Sequence, residues 1–214
     1  MVGARISAYV ESMKMLRLIL APLLLLALSF PAYSAGKLSL SEISGYLNSL
    51  KTAKGEFTQI NDDGTISTGT IFIKRPGRVR FEYNPPEASL VLAGGGEVAI
   101  FDKKSNQPPE RYPLAKTPLS LILAANVDLG RARMVTGHTS DANSTTVRAQ
   151  DPEHPEYGSI ELVFTGSPVE LRQWKINDGG GGSTTVILGE LKKGIAIGDT
   201  RFNILQEMRR AGFN

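Results

Sequence analysis

A strict alternation of side-chain character at residues 78–83 constrains the fold more than any other feature of this sequence. Val79, Phe81 and Tyr83 alternate there with two arginines and a glutamate, so an extended chain has one apolar face and one charged face. From Gly55 onward, Gly, Pro, Asn and Asp divide the chain into similar short stretches. These stretches predict β-strands over residues 56–60, 66–75, 78–83, 90–93, 97–102, 145–150, 160–165, 171–177 and 184–191.

Two short helices are predicted beside the strands. Ser39 and Glu42 have the spacing of a capping box, and apolar residues follow on one helical face, which predicts a helix over about 40–52. The pair Thr117-Pro118 places a capping residue before a proline at the first helical position. A second, very apolar helix is therefore predicted over 119–125.

Turn-forming segments join the predicted strands. The strongest is Asn61–Gly64, and the glycine runs 94–96 and 179–182 are typical of hairpin loops. Many consecutive antiparallel strands with few helices predict a mainly β, α+β fold in which a curved antiparallel sheet forms an incomplete β-barrel. The helices must bury their apolar faces, and the concave side of the sheet is the surface available to them.

Residues 1–34 have the features of a secretory signal peptide. A short basic segment precedes the apolar run 18–28, and small residues follow it. The apolar run is well short of the roughly 20 residues that a membrane-spanning helix needs. We therefore expect cleavage after Ser34, a mature chain that begins at Ala35, and a single domain over 35–214.

The composition excludes several classes of protein. The whole chain has a formal charge of +3, and three basic residues and one acidic residue lie before position 35, which leaves about +1 for the mature chain. A chain so close to neutral, without a basic patch, has no electrostatic footprint for nucleic acid. The sequence has no cysteine, so disulfides, thiolate chemistry and a lipid anchor of its own are excluded.

No group of residues predicts catalysis, a metal site or a cofactor. His138 lies in the turn-like segment 136–139, and His154 lies in a proline-rich loop; neither has a partner at the spacing of metal ligands. We therefore expect both histidines to lie in surface loops. The predicted protein has no catalytic residue and binds no metal.

Arg75 is the residue whose place the alternation leaves open. It shares one strand face with Ile71 and Ile73, whereas Lys74 shares the other face with Phe72. Both faces carry large apolar residues, so alternation does not decide which one points inward. An interior guanidinium needs hydrogen-bond acceptors, because burying it without any is very costly. The alternative is an arginine at the rim, facing water.

Two ordered groups of motifs resemble those of LolA-type carriers of outer-membrane lipoproteins. Segments 55–59 and 69–83, followed by Pro85-Pro86, are similar to the Phe-x-Gln and Gly-x-x-x-x-Lys-Arg-Pro-x-x-x-x-Trp/Phe motifs of that family. Segments 96–102 and 112–123 resemble the next strands and the central helix of the family, and the resemblance spans most of 38–202. It implies a half-open barrel closed by a helical lid over an apolar cavity.

The resemblance also implies a function and a site. It implies a monomeric periplasmic chaperone that takes acylated lipoproteins from an inner-membrane lipoprotein-releasing ABC transporter. It would deliver them to an outer-membrane lipoprotein receptor or to the outer membrane itself. The implied lid latch is Arg75, through hydrogen bonds to lid backbone. The candidate residues of the lipid cavity are Phe57, Ile71, Ile73, Val79, Phe81, Tyr83, Leu119, Ile122 and Leu123. A periplasmic carrier or sensor of other lipids on the same fold is the alternative.

Overall fold

A computed structural model describes residues 36–87, 89–102 and 104–213 of the chain. The predicted signal peptide lies outside the described residues. The helices are α1 (Leu40–Ser49), α2 (Leu119–Leu123) and α3 (Ile204–Arg210). The strands are β1 (Thr52–Ile60), β2 (Ile66–Lys74), β3 (Arg78–Tyr83), β4 (Ser89–Gly94), β5 (Glu97–Asp102), β6 (Glu110–Pro113), β7 (Val135–Ser140), β8 (Thr145–Gln150), β9 (Ser159–Thr165), β10 (Glu170–Asn177), β11 (Ser183–Leu188) and β12 (Lys192–Lys193).

The strands form a single antiparallel sheet that does not close on itself. Its order is β6-β5-β4-β3-β2-β1-β11-β10-β9-β8-β7, and β12 pairs with β1. Strands β6 and β7 are therefore consecutive in the chain but lie at opposite edges of the sheet. The intervening segment 114–134 has to cross from one edge to the other, and this crossover carries α2. The predicted incomplete antiparallel barrel is confirmed.

Local signals set most element boundaries. The capping box of α1 is present, with the Glu42 amide donating to the Ser39 hydroxyl and the Glu42 carboxylate accepting from the Ser39 amide. Helix α2 ends at Leu123, two residues before its predicted end. The Thr117 hydroxyl does not cap it as predicted but donates to the Leu114 carbonyl at 2.8 Å. Within the described residues, no helix combines the length and hydropathy needed to cross a membrane.

Hydrophobic periodicity and turn signals missed four elements, namely β6, β7, β12 and α3. Every residue of β6 is exposed, and no residue of β7 is fully buried. Neither edge strand therefore has the buried face that produces an alternation of apolar and polar residues. The predicted turn at 136–139 is wrong, because His138 lies within β7 and pairs with Val147 of β8. The hairpin loops predicted at 94–96 and 179–182 are confirmed.

The concave face of the sheet encloses the main apolar core. Helices α1 and α2 both bury their apolar sides against it, as the pattern of the sequence predicts. The largest fully buried side chains of this core include Trp174 of β10 and Phe164 of β9. In the described structure, side chains from the sheet and both helices pack together in the space under the helices.

A second, smaller core lies on the outer face of β2, β4 and β5. Phe72, Leu90 and Phe101 are buried there beneath the C-terminal segment, which contributes Phe202 and Ile204. A β-carbon on Gly94 would lie only 2.1 Å from the Phe202 carbonyl oxygen, so this close approach requires glycine. The outer core explains why both faces of β2 are apolar.

Candidate functional site

Helix α2 covers the concave side of the sheet with a row of leucines and isoleucine. The side chains of Leu121, Ile122 and Leu123 are 8%, 2% and 2% exposed and belong to the main core, and Leu119 is half-buried against it. A segment so apolar is stable in water only when its side chains are covered. Because α2 lies within the crossover between the two sheet edges, it forms a short lid over the interior, and we call α2 the lid helix.

The predicted cavity residues of the sheet lie together on its inner face. Phe57, Val79 and Phe81 are buried in the core, as are Ile71 and Ile73. The rings of Phe57 and Phe81 meet edge to face with centroids 5.3 Å apart. The structure therefore brings these predicted residues and the lid helix to one apolar surface.

Tyr83 lies at the border of this surface and is only half-buried. Its hydroxyl donates to Gln59 Oε1 at 2.6 Å, and its ring packs edge to face on Phe57 with centroids 5.1 Å apart. Burial raises the pKa of Tyr83 to about 12, because the charged phenolate is less well solvated there. Tyr83 thus combines an apolar contact with a polar anchor.

Arg75 follows the inward-facing residues Ile71 and Ile73 and is only 6% exposed. Its Nη2 donates a hydrogen bond to the carbonyl of Ala124, directly after the lid helix. Among the described residues, its Nε and Nη1 have no hydrogen-bond partner. Burial lowers the pKa of Arg75, since water no longer stabilises the charge. The side chain is therefore interior and in contact with the end of the lid.

The turn after β2 holds the lid helix through a second hydrogen bond. The amide of Gly77 donates to the carbonyl of Leu123 at 2.8 Å, one residue before the carbonyl that Arg75 contacts. Both carbonyls lie at the C-terminal end of a helix, where no intrahelical donor is available to them. The turn itself is fixed to the sheet, because the Arg75 amide donates to the Lys51 carbonyl at 2.8 Å.

Helix α1 holds the segment that follows the lid helix. The Asn48 side chain donates to the Val127 carbonyl at 2.8 Å and accepts from the Val127 amide at 2.9 Å. One turn earlier, the Ser44 hydroxyl accepts from the Leu129 amide at 3.0 Å. The sequence analysis did not identify Asn48 or Ser44, because bonds to the main chain of a distant segment leave no mark in residue spacing.

The histidines take part in local structure. His138 Nε2 lies 2.8 Å from the Leu38 carbonyl oxygen and fixes the segment before α1 to β7, whereas His154 is exposed beside Glu156. In the described part of the chain, no three His, Cys, Asp or Glu residues come together as a metal site would require. The arrangement is instead an apolar surface covered by a short helix.

Fold and site together define the class of protein: an incomplete antiparallel barrel whose apolar interior is covered by a short, sparsely bonded helical lid. Residues 48–205 match the family model described as "Outer membrane lipoprotein carrier protein LolA". This match spans more than half of the chain. The chain belongs to the LolA family of outer-membrane lipoprotein carrier proteins.

Curated relatives carry the same description over most of their length. An outer-membrane lipoprotein carrier protein from Cupriavidus taiwanensis is 26% identical over 186 residues, which cover 81% of this chain and 85% of the relative. One from Methylobacillus flagellatus is 23% identical over 171 residues, covering 76% and 82%. A LolA superfamily protein from Nitrosomonas europaea aligns structurally at 9% identity with a TM-score of 0.45, covering 78% of this chain and 98% of that one.

Proposed function

We propose that this protein is a periplasmic chaperone that binds the acyl chains of lipoproteins and carries them from the inner to the outer membrane. Its partners would be an inner-membrane ABC transporter that releases lipoproteins and an outer-membrane acceptor. Membership of the LolA family supports this role. The observation that carries the proposal is the apolar interior beneath a five-residue lid helix held at one end by Arg75 and Gly77.

The lid supplies a reason why cargo can be released. Burying one acyl chain of about 15 methylenes contributes on the order of 12 kcal/mol, so two or three chains held completely would exceed the practical ceiling of about 18–21 kcal/mol for affinity. In the closed form, Leu121, Ile122 and Leu123 occupy part of the interior. Each such side chain contributes about 1.5–3 kcal/mol when buried, so displacing all three costs on the order of 5–9 kcal/mol. This cost offsets part of the cargo's affinity.

Arg75 acts in this proposal as the lid latch. Its bond to Ala124 forms only when the lid helix lies on the sheet, so the bond stabilises the closed, empty form relative to the open, loaded form. An arginine with three N–H groups on unpartnered atoms sits in an apolar interior at a cost, and the Ala124 carbonyl is the acceptor that reduces it. Closing behind departing cargo restores this bond.

Mass spectrometry of the protein purified from periplasm tests the function. The full chain, expressed with its leader and a C-terminal tag in a Gram-negative host, should co-purify with triacylated lipoproteins. Ile122→Asp, which places a carboxylate beneath the lid, should reduce that yield. Bound phospholipid without any lipoprotein would support the alternative, a carrier or sensor of other lipids, and the absence of every lipid would contradict both.

A further inference from the structure

Two clefts lie beside the lid helix, and one of them also borders β8 and β9. The first, here called the β8 cleft, has a volume of about 100 Å³ and lies between α2 and the ends of those strands. The second, the loop cleft, has about 470 Å³ and lies between α2 and the segment that follows it. Both clefts are lined by Ser120, Leu121 and Met134.

The floor of the β8 cleft is the apolar core itself. Ala149 of β8 and Ile160 of β9 line it, and both are buried core residues. Leu121 is likewise a core residue, and Met134 is half-buried against the same core. Lys116, Gln150, Asp151 and Tyr157 also line this cleft, so a ligand that enters here would pass beside polar side chains to reach apolar surface continuous with the interior.

The lid helix is fastened on one side only. Its C-terminal end is bonded to Arg75 and Gly77, and the segment after it is bonded to Asn48. Within residues 36–87, 89–102 and 104–213, no hydrogen bond or ion pair joins residues 117–123 to β7, β8 or β9. Lys116 Nζ lies 5.8 Å from the centroid of the Tyr157 ring across this cleft. Separating α2 from β8 therefore breaks this contact and apolar contacts, which have no directional requirement and re-form readily.

We propose that acyl chains enter and leave the interior between α2 and strands β8 and β9, with Leu121 and Met134 as the gate. The inference rests on the proposed function, since it assumes acylated cargo. An acyl chain is flexible and unbranched, so it can pass a narrow apolar opening one segment at a time. Methionine suits such a position, because its flexible thioether adapts to irregular apolar neighbours. The bonds at Arg75, Gly77 and Asn48 hold the opposite side of the lid in place.

A gate and a latch differ in how they affect the rates and the affinity of cargo binding. A group that narrows the path raises the barrier for entry and for exit equally, and leaves the affinity unchanged. A group that stabilises the closed form, as proposed for Arg75, changes the affinity instead. Measured association and dissociation rates therefore separate the two roles.

The chain offers a direct way to measure these rates. It has no cysteine and one tryptophan, Trp174, which is 2% exposed on the inner face. Ser120→Cys, alkylated with a bulky maleimide, places an obstacle in both clefts. Ala125→Cys with the same adduct is the matched control, because Ala125 is exposed just beyond the fastened end of the lid helix. The probe is a triacylated lipopeptide with brominated acyl chains, which quench Trp174 on contact.

The bulky adduct at Ser120 should slow both association and dissociation by about tenfold, with the affinity unchanged, whereas a methyl adduct at Ser120 and the bulky adduct at Ala125 leave both rates unaltered. Met134→Ala should accelerate both rates. An equal effect at Ser120 and Ala125, or none at either position, would overturn the gate. Failure of the unlabelled protein to bind the probe would instead count against the proposed function.

Discussion

Replacing Arg75 by leucine removes the latch and leaves the Ala124 carbonyl without its donor. Arg75 is buried, and its Nη2 bond to the Ala124 carbonyl is its side-chain link to the lid segment. Leucine fills part of the same volume and has no donor. The bond from the Gly77 amide to the Leu123 carbonyl at 2.8 Å does not involve the replaced side chain, so the lid stays fastened at one point.

The expected effect of Arg75→Leu on the lid equilibrium follows from the strength of the hydrogen bond from Arg75 to Ala124. A buried hydrogen bond from a charged donor contributes about 1.5–3 kcal/mol, and about 1.4 kcal/mol is a factor of ten in an equilibrium constant. Arg75→Leu should therefore shift the equilibrium toward the open form by roughly 10- to 150-fold. The variant should load cargo at least as readily as the wild type and accumulate as a complex that fails to hand it over.

The assay is transfer of a labelled lipoprotein from the purified carrier to outer-membrane vesicles. Arg75→Lys should be intermediate, because an ammonium keeps the charge but loses the planar array of donors. Arg78→Leu is the matched control. Arg78 also lies near the turn after β2, but its guanidinium bonds Asp199 on the outer side at 2.5 Å. This control should transfer at the wild-type rate.

The two unpartnered donor atoms of Arg75 act against the latch. Nε and Nη1 of Arg75 are buried without partners among the described residues, and each unsatisfied donor costs about 1–3 kcal/mol. If opening the lid hydrates these donors and that gain exceeds the lost bond, arginine favours the open form. Arg75→Leu would then load poorly and hand over its cargo more readily than the wild type. That result would refute the latch.

Four further predictions follow from the structure. Asn48→Ala removes both bonds to Val127 and should lower the free energy of unfolding by about 1–3 kcal/mol in urea titrations, and an unchanged value would show that α1 does not hold the lid segment. Ile122→Asp, at a 2% exposed site, should weaken folding or cargo binding, and wild-type behaviour in both assays would count against a lid. The pKa of Tyr83 is raised to about 12 in the folded state, so its phenol stays protonated to higher pH there than in the unfolded chain. Its contribution to the free energy of unfolding is complete below about pH 10 and is lost as the pH rises toward about 12. In alkaline denaturation, Tyr83→Phe should make the free energy of unfolding less dependent on pH. The same pH dependence as in the wild type would show that Tyr83 does not cause it. N-terminal sequencing of exported protein should begin near Ala35, and an uncleaved product would disprove the signal peptide.

The strands with one apolar face were predictable from the sequence. Residues 78–83 alternate because β3 lies in the interior of the sheet, with its inner side on the core, and both predicted ends agree with the structure. The sequence left the inward face of β2 undecided, because Phe72 is as apolar as Ile71 and Ile73. The structure explains the ambiguity: Phe72 is buried too, beneath the C-terminal segment on the outer side.

The parts that could not be predicted depend on contacts between distant segments. Strand β7 contains Gly137 and few apolar residues, and it becomes a strand because β8 pairs with it. The bonds of Asn48 to Val127 join positions 79 residues apart through main-chain atoms, which every residue except proline can supply alike. Alternation singled out Arg75 but left it between the interior and the rim, and only the resemblance to a known family implied an interior position in contact with the lid.

Quenching of Trp174 by cargo shows whether acyl chains bind in the apolar interior beneath the lid helix. Trp174 is the single tryptophan of the chain, and its ring meets Phe81 edge to face with centroids 6.0 Å apart in the covered interior. A triacylated lipopeptide with brominated chains, added to the purified mature protein, should quench the fluorescence of Trp174 to saturation, and the unbrominated lipopeptide should not. If the lipopeptide co-elutes with the protein but leaves this fluorescence unchanged, the acyl chains bind elsewhere. That result would contradict binding in the interior beneath the lid helix.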